Sequence, residues 1–231
     1  MEYTDHPLVG LSEQLLYAVK IQSDTTEYVE SLKTVSDSDL LDLLISDQEK
    51  LVFWINLYNA YYQIIRKDQI VDKKEIYKSR IIDIASHLFS LDDIEHGILR
   101  KFRYKYSLGY FANPFTSTMI KNLAVDQLDW RIHFALNCGA KSCPPIAFYR
   151  LSSIDTQLEM AASSFLNNET TVDQEAKTVE VTALFKWFKN DFGGDDGIKS
   201  ILSKYLDADF STYSLIYSEY SWEDDLNNFT D

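Results

Sequence analysis

The stretch Leu51-Val-Phe-Trp-Ile-Asn-Leu-Tyr-Asn-Ala-Tyr-Tyr-Gln-Ile-Ile65 is apolar on nearly every side of a helix. A helix with this pattern is normally a central, buried one. Its polar residues Asn56, Asn59 and Gln63 are three and four positions apart and therefore share one face. A buried amide without a partner costs ~1–3 kcal/mol, so we expect all three to be hydrogen-bonded. They either fix neighbouring loops or orient a catalytic group.

Further helical patterns surround this stretch, with a few short strands between them. Ser90 and Asp93 form a capping pattern that predicts a helix over residues 91–102. Alternation predicts a strand over Arg131–Cys138, and β-branched residues predict a hairpin over Thr170–Val181. The expected class is α+β, with a helix-rich N-terminal half packed on a small antiparallel sheet. We expect a single domain over residues 1–231.

The composition narrows the class of protein. A chain of 231 residues with 45% hydrophobic residues and a formal net charge of −14 is an ordinary globular protein, but an acidic one. Such a charge opposes nucleic-acid binding and attraction to an anionic membrane surface. The basic segment Arg100–Tyr106 is interpreted as a solvated helix end. Partners are therefore expected to be a peptide-like or small-molecule substrate, or another protein, and no cofactor is predicted.

Targeting signals are not visible in the sequence. No apolar run follows a basic start, and the apolar stretches fall short of the ~20 residues that a membrane span needs. As written, the chain is expected to be cytoplasmic and to have no membrane span. A secreted mature domain whose signal had been removed would look the same.

The two cysteines, Cys138 and Cys143, lie five positions apart. They are either a local pair or two thiols with separate fates. The Cys-x₄-Cys spacing is wider than that of common zinc sites, so no metal site is predicted. In the predicted strand, His133 and Cys138 point to opposite faces, so we expect no dyad between them unless a bulge intervenes. His133 then pairs with Asn137 or with a backbone carbonyl.

A second histidine, His96, offers an imidazole to Cys138. On the predicted helix it lies opposite Ile94 and in line with Asp92 and Arg100, away from the apolar stripe. It is therefore either an exposed member of a charge ladder or an imidazole facing a cleft. Gly97 beside it indicates a close approach by another backbone, because glycine inside a helix costs ~1 kcal/mol relative to alanine.

Three stretches together resemble one family. They are Phe53-Trp-Ile-Asn-Leu-Tyr-Asn-Ala60, Ser90-Leu-Asp-Asp-Ile-Glu-His-Gly-Ile-Leu-Arg100, and Arg131-Ile-His-Phe-Ala-Leu-Asn-Cys-Gly-Ala-Lys-Ser-Cys-Pro-Pro145. The chain is similar to the domain of unknown function 547 family over about residues 40–226. This resemblance implies a papain-like or transglutaminase-like fold, with a site between a central helix and a sheet. The cysteine that starts the central helix in that fold has no counterpart in residues 47–59.

The leading hypothesis is a cysteine-dependent hydrolase or acyl transferase acting on an amide or peptide-like bond. Cys138 is the candidate nucleophile and His96 the general base, oriented by Glu95 or by an amide of Asn56 or Asn59. Backbone N–H groups of Gly139 and Ala140 are candidates for an oxyanion hole. The remaining candidate binding residues are His133, Asn137 and Cys143.

Two alternatives stay open beside the enzyme hypothesis. One is a non-catalytic binding or assembly module on the same scaffold, favoured by the missing helix-start cysteine. The other is a redox pair formed by Cys138 and Cys143.

Overall fold

The computed structural model of the chain describes residues 4–230. Its central element is helix α4 (Asp47–Lys67), in which Phe53, Trp54 and Ile55 are fully buried. The helix begins with a capping box: the Ser46 hydroxyl accepts from the Glu49 N–H, and the Glu49 carboxylate accepts from the Ser46 N–H. The prediction of a central buried helix is confirmed.

The remaining helices are mostly short. Three of them precede the central helix: α1 (Pro7–Lys20), α2 (Thr26–Thr34) and α3 (Asp37–Leu43). Within residues 4–230, four α-helices follow it: α5 (Thr118–Leu123), α6 (Ile154–Glu169), α7 (Ala183–Trp187) and α8 (Gly194–Leu206). The main packing partner of α4 is α1.

The strands form two small sheets in the described part of the chain. Strands β1 (Ile82–Ile84) and β2 (His87–Phe89) pair antiparallel. Strands β3 (Thr171–Asp173) and β4 (Thr178–Val181) form the predicted hairpin, and β5 (Ser214–Tyr217) pairs parallel with β4. The α+β class is confirmed, but the larger sheet is mixed rather than antiparallel.

The buried apolar residues form two clusters. The larger one gathers α1, α4, the β1–β2 hairpin and the segment around Ile94. The smaller one includes Val179 and Val181 of β4 together with Phe165 of α6 and Ile198 of α8. The three-stranded sheet therefore packs against C-terminal helices, and not against the N-terminal half as expected. The candidate site described below lies between these two clusters.

The predicted strand over Arg131–Cys138 is wrong. Residues Trp130–Phe134 form a 3₁₀ helix, which Asp129 caps by accepting from the Arg131 N–H at 2.9 Å. Trp130 and Phe134 then lie on one side in edge-to-face contact, with ring centroids 6.0 Å apart. The argument from strand parity fails with the strand, because the alternation of side chains that it assumed does not exist.

The predicted helix over residues 91–102 is shorter and wider than an α-helix. Asp93–Leu99 is a π-helix, and the Arg100 N–H donates to the Glu95 carbonyl at 2.8 Å. The capping pattern is confirmed, since the Ser90 hydroxyl accepts from the Asp93 N–H and the Asp93 carboxylate from the Ser90 N–H, each at 3.0 Å. Single π-turns of this kind frequently occur at functional sites.

No helix within residues 4–230 is long and apolar enough to cross a membrane.

Candidate functional site

A cavity of about 380 Å³ lies between the π-helix, the segment after the 3₁₀ helix, and the C-terminal segment. The predicted residues Cys138, Cys143, His96, Glu95 and His133 all line it. The structure therefore brings both sequence segments to one place, although the strand argument that linked them was wrong. Asn56, Asn59, Asn137 and Gly139 are not among the lining residues.

The two sulfur atoms that line the cavity are bonded to each other. Cys138 and Cys143 form a disulfide, with an S–S distance of 2.02 Å. The Tyr220 hydroxyl lies 3.1 Å from each sulfur atom. The local-pair interpretation of the cysteines is confirmed. In this form Cys138 carries no free thiol, so the nucleophile predicted from the sequence is absent from the oxidised protein.

His96 has the neighbours that the sequence predicted. Its Nδ1 lies 2.8 Å from Arg100 Nη1, and its Nε2 lies 3.6 Å from Asp92 Oδ1. Arginine has no acceptor, so Nδ1 accepts this hydrogen bond and the proton of the neutral ring sits on Nε2. Burial and the nearby Arg100 guanidinium hold the pKa of His96 well below its ordinary value.

This tautomer changes the role of His96. The free lone pair of the neutral ring is at Nδ1, and the Arg100 guanidinium already occupies it. Nε2 carries a proton, so it offers a hydrogen-bond donor. The structure therefore contradicts a ready general base at His96 and places a neutral donor there instead.

Glu95 is the titratable group of the site that changes charge near neutrality. Burial raises the pKa of its carboxyl to about 7, because the ionised form loses its hydration there. The Tyr58 hydroxyl donates to Glu95 Oε2 at 3.2 Å, and Oε1 lies 3.6 Å from His96 Nδ1. Since Arg100 already occupies that nitrogen, Glu95 contacts His96 without orienting it. A carboxyl with such a pKa can accept or donate a proton at physiological pH.

A fully buried group of charges supports these residues from behind. Arg100 Nε donates to Asp191 Oδ2 at 2.6 Å, and neither side chain is exposed to solvent. His133 Nε2 donates to the same oxygen at 2.9 Å, and its ring stacks on Phe188 with centroids 4.0 Å apart. Burial lowers the pKa of His133 to about 4, so the ring is neutral. The expected pairing of His133 with Asn137 or a carbonyl is wrong, since Asp191 is its partner.

The amides of α4 hold loops in place. Asn56 exchanges two hydrogen bonds with the backbone of Tyr149, at 2.9 and 3.2 Å. Asn59 donates to the Ala135 carbonyl at 3.0 Å and accepts from the Asn137 N–H at 2.9 Å. The prediction that the amides of this face are hydrogen-bonded is confirmed for Asn56 and Asn59. Gln63 accepts from the Asn227 N–H at 3.1 Å, but its buried Nε2 has no hydrogen-bond partner among residues 4–230. The suggestion that Asn56 or Asn59 orients His96 is wrong, because the backbone uses both ends of each amide.

The segment that holds the disulfide is fixed in a similar way. Asn137 donates to the Pro144 carbonyl at 2.7 Å and accepts from the Gly139 N–H at 2.8 Å. Gly139 has a φ of 64°, in the left-handed region that glycine adopts readily. Because its N–H is already paired inside the loop, Gly139 does not supply the predicted oxyanion hole. Asn137 and Gly139 instead set the shape of the loop.

The apolar wall of the cavity was missed by the sequence reasoning. Leu184, Trp187 and Phe188 line it from the segment that starts at α7, and Tyr220 and Trp222 line it from the C-terminal segment. Trp187 stacks on Trp222 with ring centroids 5.7 Å apart. The sequence signal was the high aromatic content around residues 184–188 and 220–222, but nothing local placed these rings beside His96.

Lysines surround the polar part of the cavity. Lys105 forms a salt bridge with Asp92, while Lys74 and Lys78 line the cavity without a carboxylate within salt-bridge distance among residues 4–230. Within the same described range, no cluster of three or more His, Cys, Asp or Glu side chains could hold a metal ion. The cavity therefore combines aromatic rings, hydrogen-bond donors and two carboxyls: that of Asp92, which pairs with Lys105, and that of Glu95, whose pKa is raised to about 7.

Comparison with known families identifies the group to which this site belongs. The profile of the family described as "Protein of unknown function, DUF547" matches residues 43–166, which is more than half of the chain. The chain belongs to the DUF547 family. The match ends before the expected limit near residue 226, so Trp187 and Trp222 lie outside the matched DUF547 region. No curated protein and no solved structure matches the chain.

The position of the site relative to the DUF547 match is informative. The matched region contains the π-helix, the disulfide and His133, and therefore the polar side of the cavity. The apolar wall comes from residues that follow it. The description of the DUF547 family names no activity.

Proposed function

We propose that the cavity is a binding site for a peptide-like or small amphipathic molecule, and that the protein in its disulfide form acts as a binding module. One observation supports this above all: a single cavity has an aromatic wall and a polar wall. Ligand sites are typically apolar clefts of ~300–1,000 Å³ with a few well-placed polar groups. The proposed ligand packs an apolar part against Leu184 and Trp187 and presents an acceptor to the His96 Nε2–H.

The chemistry of the polar wall favours a ligand with an anionic or hydrogen-bond-accepting group. His96 offers a neutral donor, and Lys74 and Lys78 supply positive charge at the same cavity. Glu95 adds a negative charge only when the pH exceeds its raised pKa of about 7. An anionic ligand is therefore expected to bind more tightly below this pH than above it.

A fluorescent aromatic sulfonate, 8-anilinonaphthalene-1-sulfonate, tests the proposal. We expect saturable binding of one molecule, with energy transfer from the cavity tryptophans, and a loss of at least ten-fold in affinity for Trp187→Ala. Tyr28→Ala is the control, because Tyr28 is a partly buried aromatic residue of α2 that packs against the larger core cluster, outside the cavity lining. Equal losses in both variants, or no saturable binding, would reject the site.

A second candidate function is the cysteine-dependent hydrolase or acyl transferase on a papain-like scaffold. Its support is that Cys138 and His96 line one cavity. It requires reduction of the disulfide by an external thiol, which is itself oxidised to a disulfide. The Cys138 sulfur then attacks the carbonyl carbon and its proton passes to a base; the C–N bond breaks, and the amine leaves with that proton while the acyl group stays on sulfur as a thioester. Because Nδ1 of His96 is occupied, Glu95, whose pKa is raised to about 7, is the cavity residue proposed as the base at neutral pH.

Alkylation of reduced Cys143→Ser protein separates the two candidates. An activated Cys138 should react with iodoacetamide with a pKa below the ordinary thiol value of ~8.5. Glu95→Gln should then slow acyl transfer from a thioester without abolishing alkylation. If Cys138 reacted with iodoacetamide at the rate of a free thiol, and this rate titrated with a pKa of ~8.5, the enzyme hypothesis would be rejected and the binding module would remain.

A further inference from the structure

One segment of this acidic chain contains no acidic residue. From Gly97 to Val125 the sequence has no Asp or Glu, while Arg100, Lys101, Arg103, Lys105 and Lys121 supply positive charge. The whole chain has a net charge of −14, so the remainder is more acidic still. The segment therefore carries five positive side chains and no negative one, in a chain that is strongly acidic as a whole. Arg100 is buried, and the other four cations reach the surface.

The same segment folds into a short irregular hairpin, here called the aromatic hairpin (residues 102–113). The Tyr104 N–H donates to the Phe111 carbonyl at 2.8 Å, and the Asn113 N–H donates to the Phe102 carbonyl at 2.7 Å. Asn190 anchors the turn, since its side chain donates to the Gly109 carbonyl at 3.0 Å and its N–H to the Leu108 carbonyl at 2.9 Å. The hairpin is thus held to the body of the protein.

The aromatic hairpin and Phe115 present apolar side chains to solvent. Phe115 is 92% exposed, Phe111 71% and Tyr106 69%. Six of the fourteen exposed large hydrophobic residues in the described chain fall between positions 104 and 115. Singly exposed apolar residues need no explanation, but a contiguous group marks an interaction surface.

The neighbouring cations are available to a partner. Within residues 4–230, Lys101, Arg103 and Lys121 have no carboxylate within salt-bridge distance; Lys101 donates to the Asp126 carbonyl. Lys105 is the member of the group that pairs with a carboxylate, that of Asp92. Exposed aromatic rings beside unpaired cations form an amphipathic surface that is positively charged.

We propose that the aromatic hairpin, together with Phe115, docks on the surface of an anionic lipid bilayer. Phe111, Phe115 and Leu108 cannot form side-chain hydrogen bonds and gain most from an apolar medium, while tyrosine side chains suit the headgroup level. Lysine and arginine beside them attract anionic headgroups. A nucleic acid would need a positively charged groove that follows its backbone, and its capture through the same residues is the competing outcome of the test below.

The net charge does not prevent this docking. Charges farther from the contact than the Debye length of about 8 Å at physiological ionic strength are largely screened, so the local cations dominate at the hairpin. Lys105 and Tyr106 also line the candidate cavity. Docking through the hairpin therefore brings the rim of that cavity to the lipid interface.

Sedimentation with sucrose-loaded vesicles tests the proposal on the full chain. We expect binding to phosphatidylcholine vesicles that contain 30% phosphatidylserine, and at least ten-fold weaker binding to phosphatidylcholine alone. Lys101→Gln, Arg103→Gln and Lys121→Gln together should weaken binding by about five-fold per cation. Phe111→Ala with Phe115→Ala should weaken it at least ten-fold.

Matched controls make the result specific. Ile45 and Met160 are also exposed, at 71% and 65%, and lie outside the hairpin, so Ile45→Ala with Met160→Ala should bind as the parent protein does. Unchanged near-ultraviolet circular dichroism of each variant would show an intact fold. No sedimentation with anionic vesicles, equal loss in the control, or capture of a single-stranded oligonucleotide through the same residues would overturn the proposal. None of these outcomes involves Trp187, so they are distinct from a failure of the cavity proposal.

Discussion

Arg100 and Asp191 form a salt bridge whose two side chains are both fully removed from solvent. The guanidinium also donates to His96 and lies over the Phe188 ring, with its central carbon 4.5 Å from the ring centroid. The carboxylate accepts a second hydrogen bond, from His133. This one ion pair therefore fixes both histidines of the candidate site.

Removal of one partner of this pair should be strongly destabilising. Asp191→Asn and Arg100→Met each leave a buried charge without its counter-ion, and we expect each to lower the free energy of unfolding by about 3–5 kcal/mol. The free energy of unfolding of the double variant should fall by clearly less than the sum of the two single losses, because neither charge is then buried without its partner. Urea unfolding measures these values.

The exposed pair of Lys141 and Glu223, with 66% and 70% side-chain exposure, provides the control. Its disruption by Lys141→Met should change stability by less than ~1 kcal/mol. Strictly additive effects of Arg100→Met and Asp191→Asn would show that the two groups do not interact.

Glu95→Gln should stabilise the protein at alkaline pH. Burial raises the pKa of Glu95 to about 7, above the ordinary value of 4.5. Between these values the native state holds a proton that the unfolded chain has released, so stability falls as the pH rises. Glutamine cannot ionise, and its carbonyl can still accept from Tyr58. We expect urea unfolding to give the same free energy of unfolding for variant and parent at pH 4.5, and a value roughly 1–3 kcal/mol higher for the variant at pH 8.

The pH dependence identifies the group that is responsible. The contribution of His133 to stability depends on pH in the opposite direction. Its pKa is lowered to about 4, so this contribution is lost as the pH falls below the ordinary histidine pKa. This contribution is present in both proteins and cancels in the difference between them. If the free energies of unfolding of Glu95→Gln and the parent differed by the same amount at every pH, the raised pKa of Glu95 would be contradicted.

Reduction of the disulfide should cost a moderate amount of stability. The bond between Cys138 and Cys143 spans five positions, and closing a loop of this size restricts the unfolded chain by about 2 kcal/mol. We expect a reductant to lower the urea midpoint of the parent protein and to leave the Cys138→Ser, Cys143→Ser double variant unchanged. Intact mass should report the loss of two hydrogens in the oxidised form. A parent protein that carries two thiols in air-equilibrated buffer would disprove the bond.

Gly97→Ala should destabilise the π-helix although alanine is the better helix former. A Cβ at position 97 would lie 2.7 Å from Ile120 Cγ2, closer than packed carbon atoms come. Overpacking of this kind costs about 1–3 kcal/mol, more than the helix preference returns. Ile120→Ala should cost less in the Gly97→Ala background than in the parent, as thermal unfolding of the four proteins can measure. Equal stability of Gly97→Ala and the parent would contradict the close contact.

Local sequence signals predicted the elements whose stabilising contacts are also local. Ser90 and Asp93 bond to each other across three positions, and the β3–β4 hairpin closes through neighbouring residues. The burial of α4 followed from its own pattern. These features needed no knowledge of the distant chain.

The errors lie where distant residues decide the structure. The backbone at Ala135 and Asn137 bonds to Asn59, which lies more than seventy positions earlier, so apolar alternation did not produce a strand there. Asp191 contacts His133 although the two residues are 58 positions apart in the sequence, and no local pattern predicts that contact. The alignment of His96 with Asp92 and Arg100 was predictable, but the occupation of Nδ1 depended on a rotamer of Arg100.

The boundary of the family match passes through the cavity, and this has a consequence for how the protein can diversify. Residues 43–166 contribute the donors, the carboxyls and the disulfide of the cavity, whereas the rings of Trp187 and Trp222 come from later in the chain. A fragment cut to the matched region would lose these rings and also Asp191, the carboxylate that holds Arg100 and His133 in place. Ligand preference can then drift by exchange of Trp187 or Trp222 while the polar machinery stays untouched.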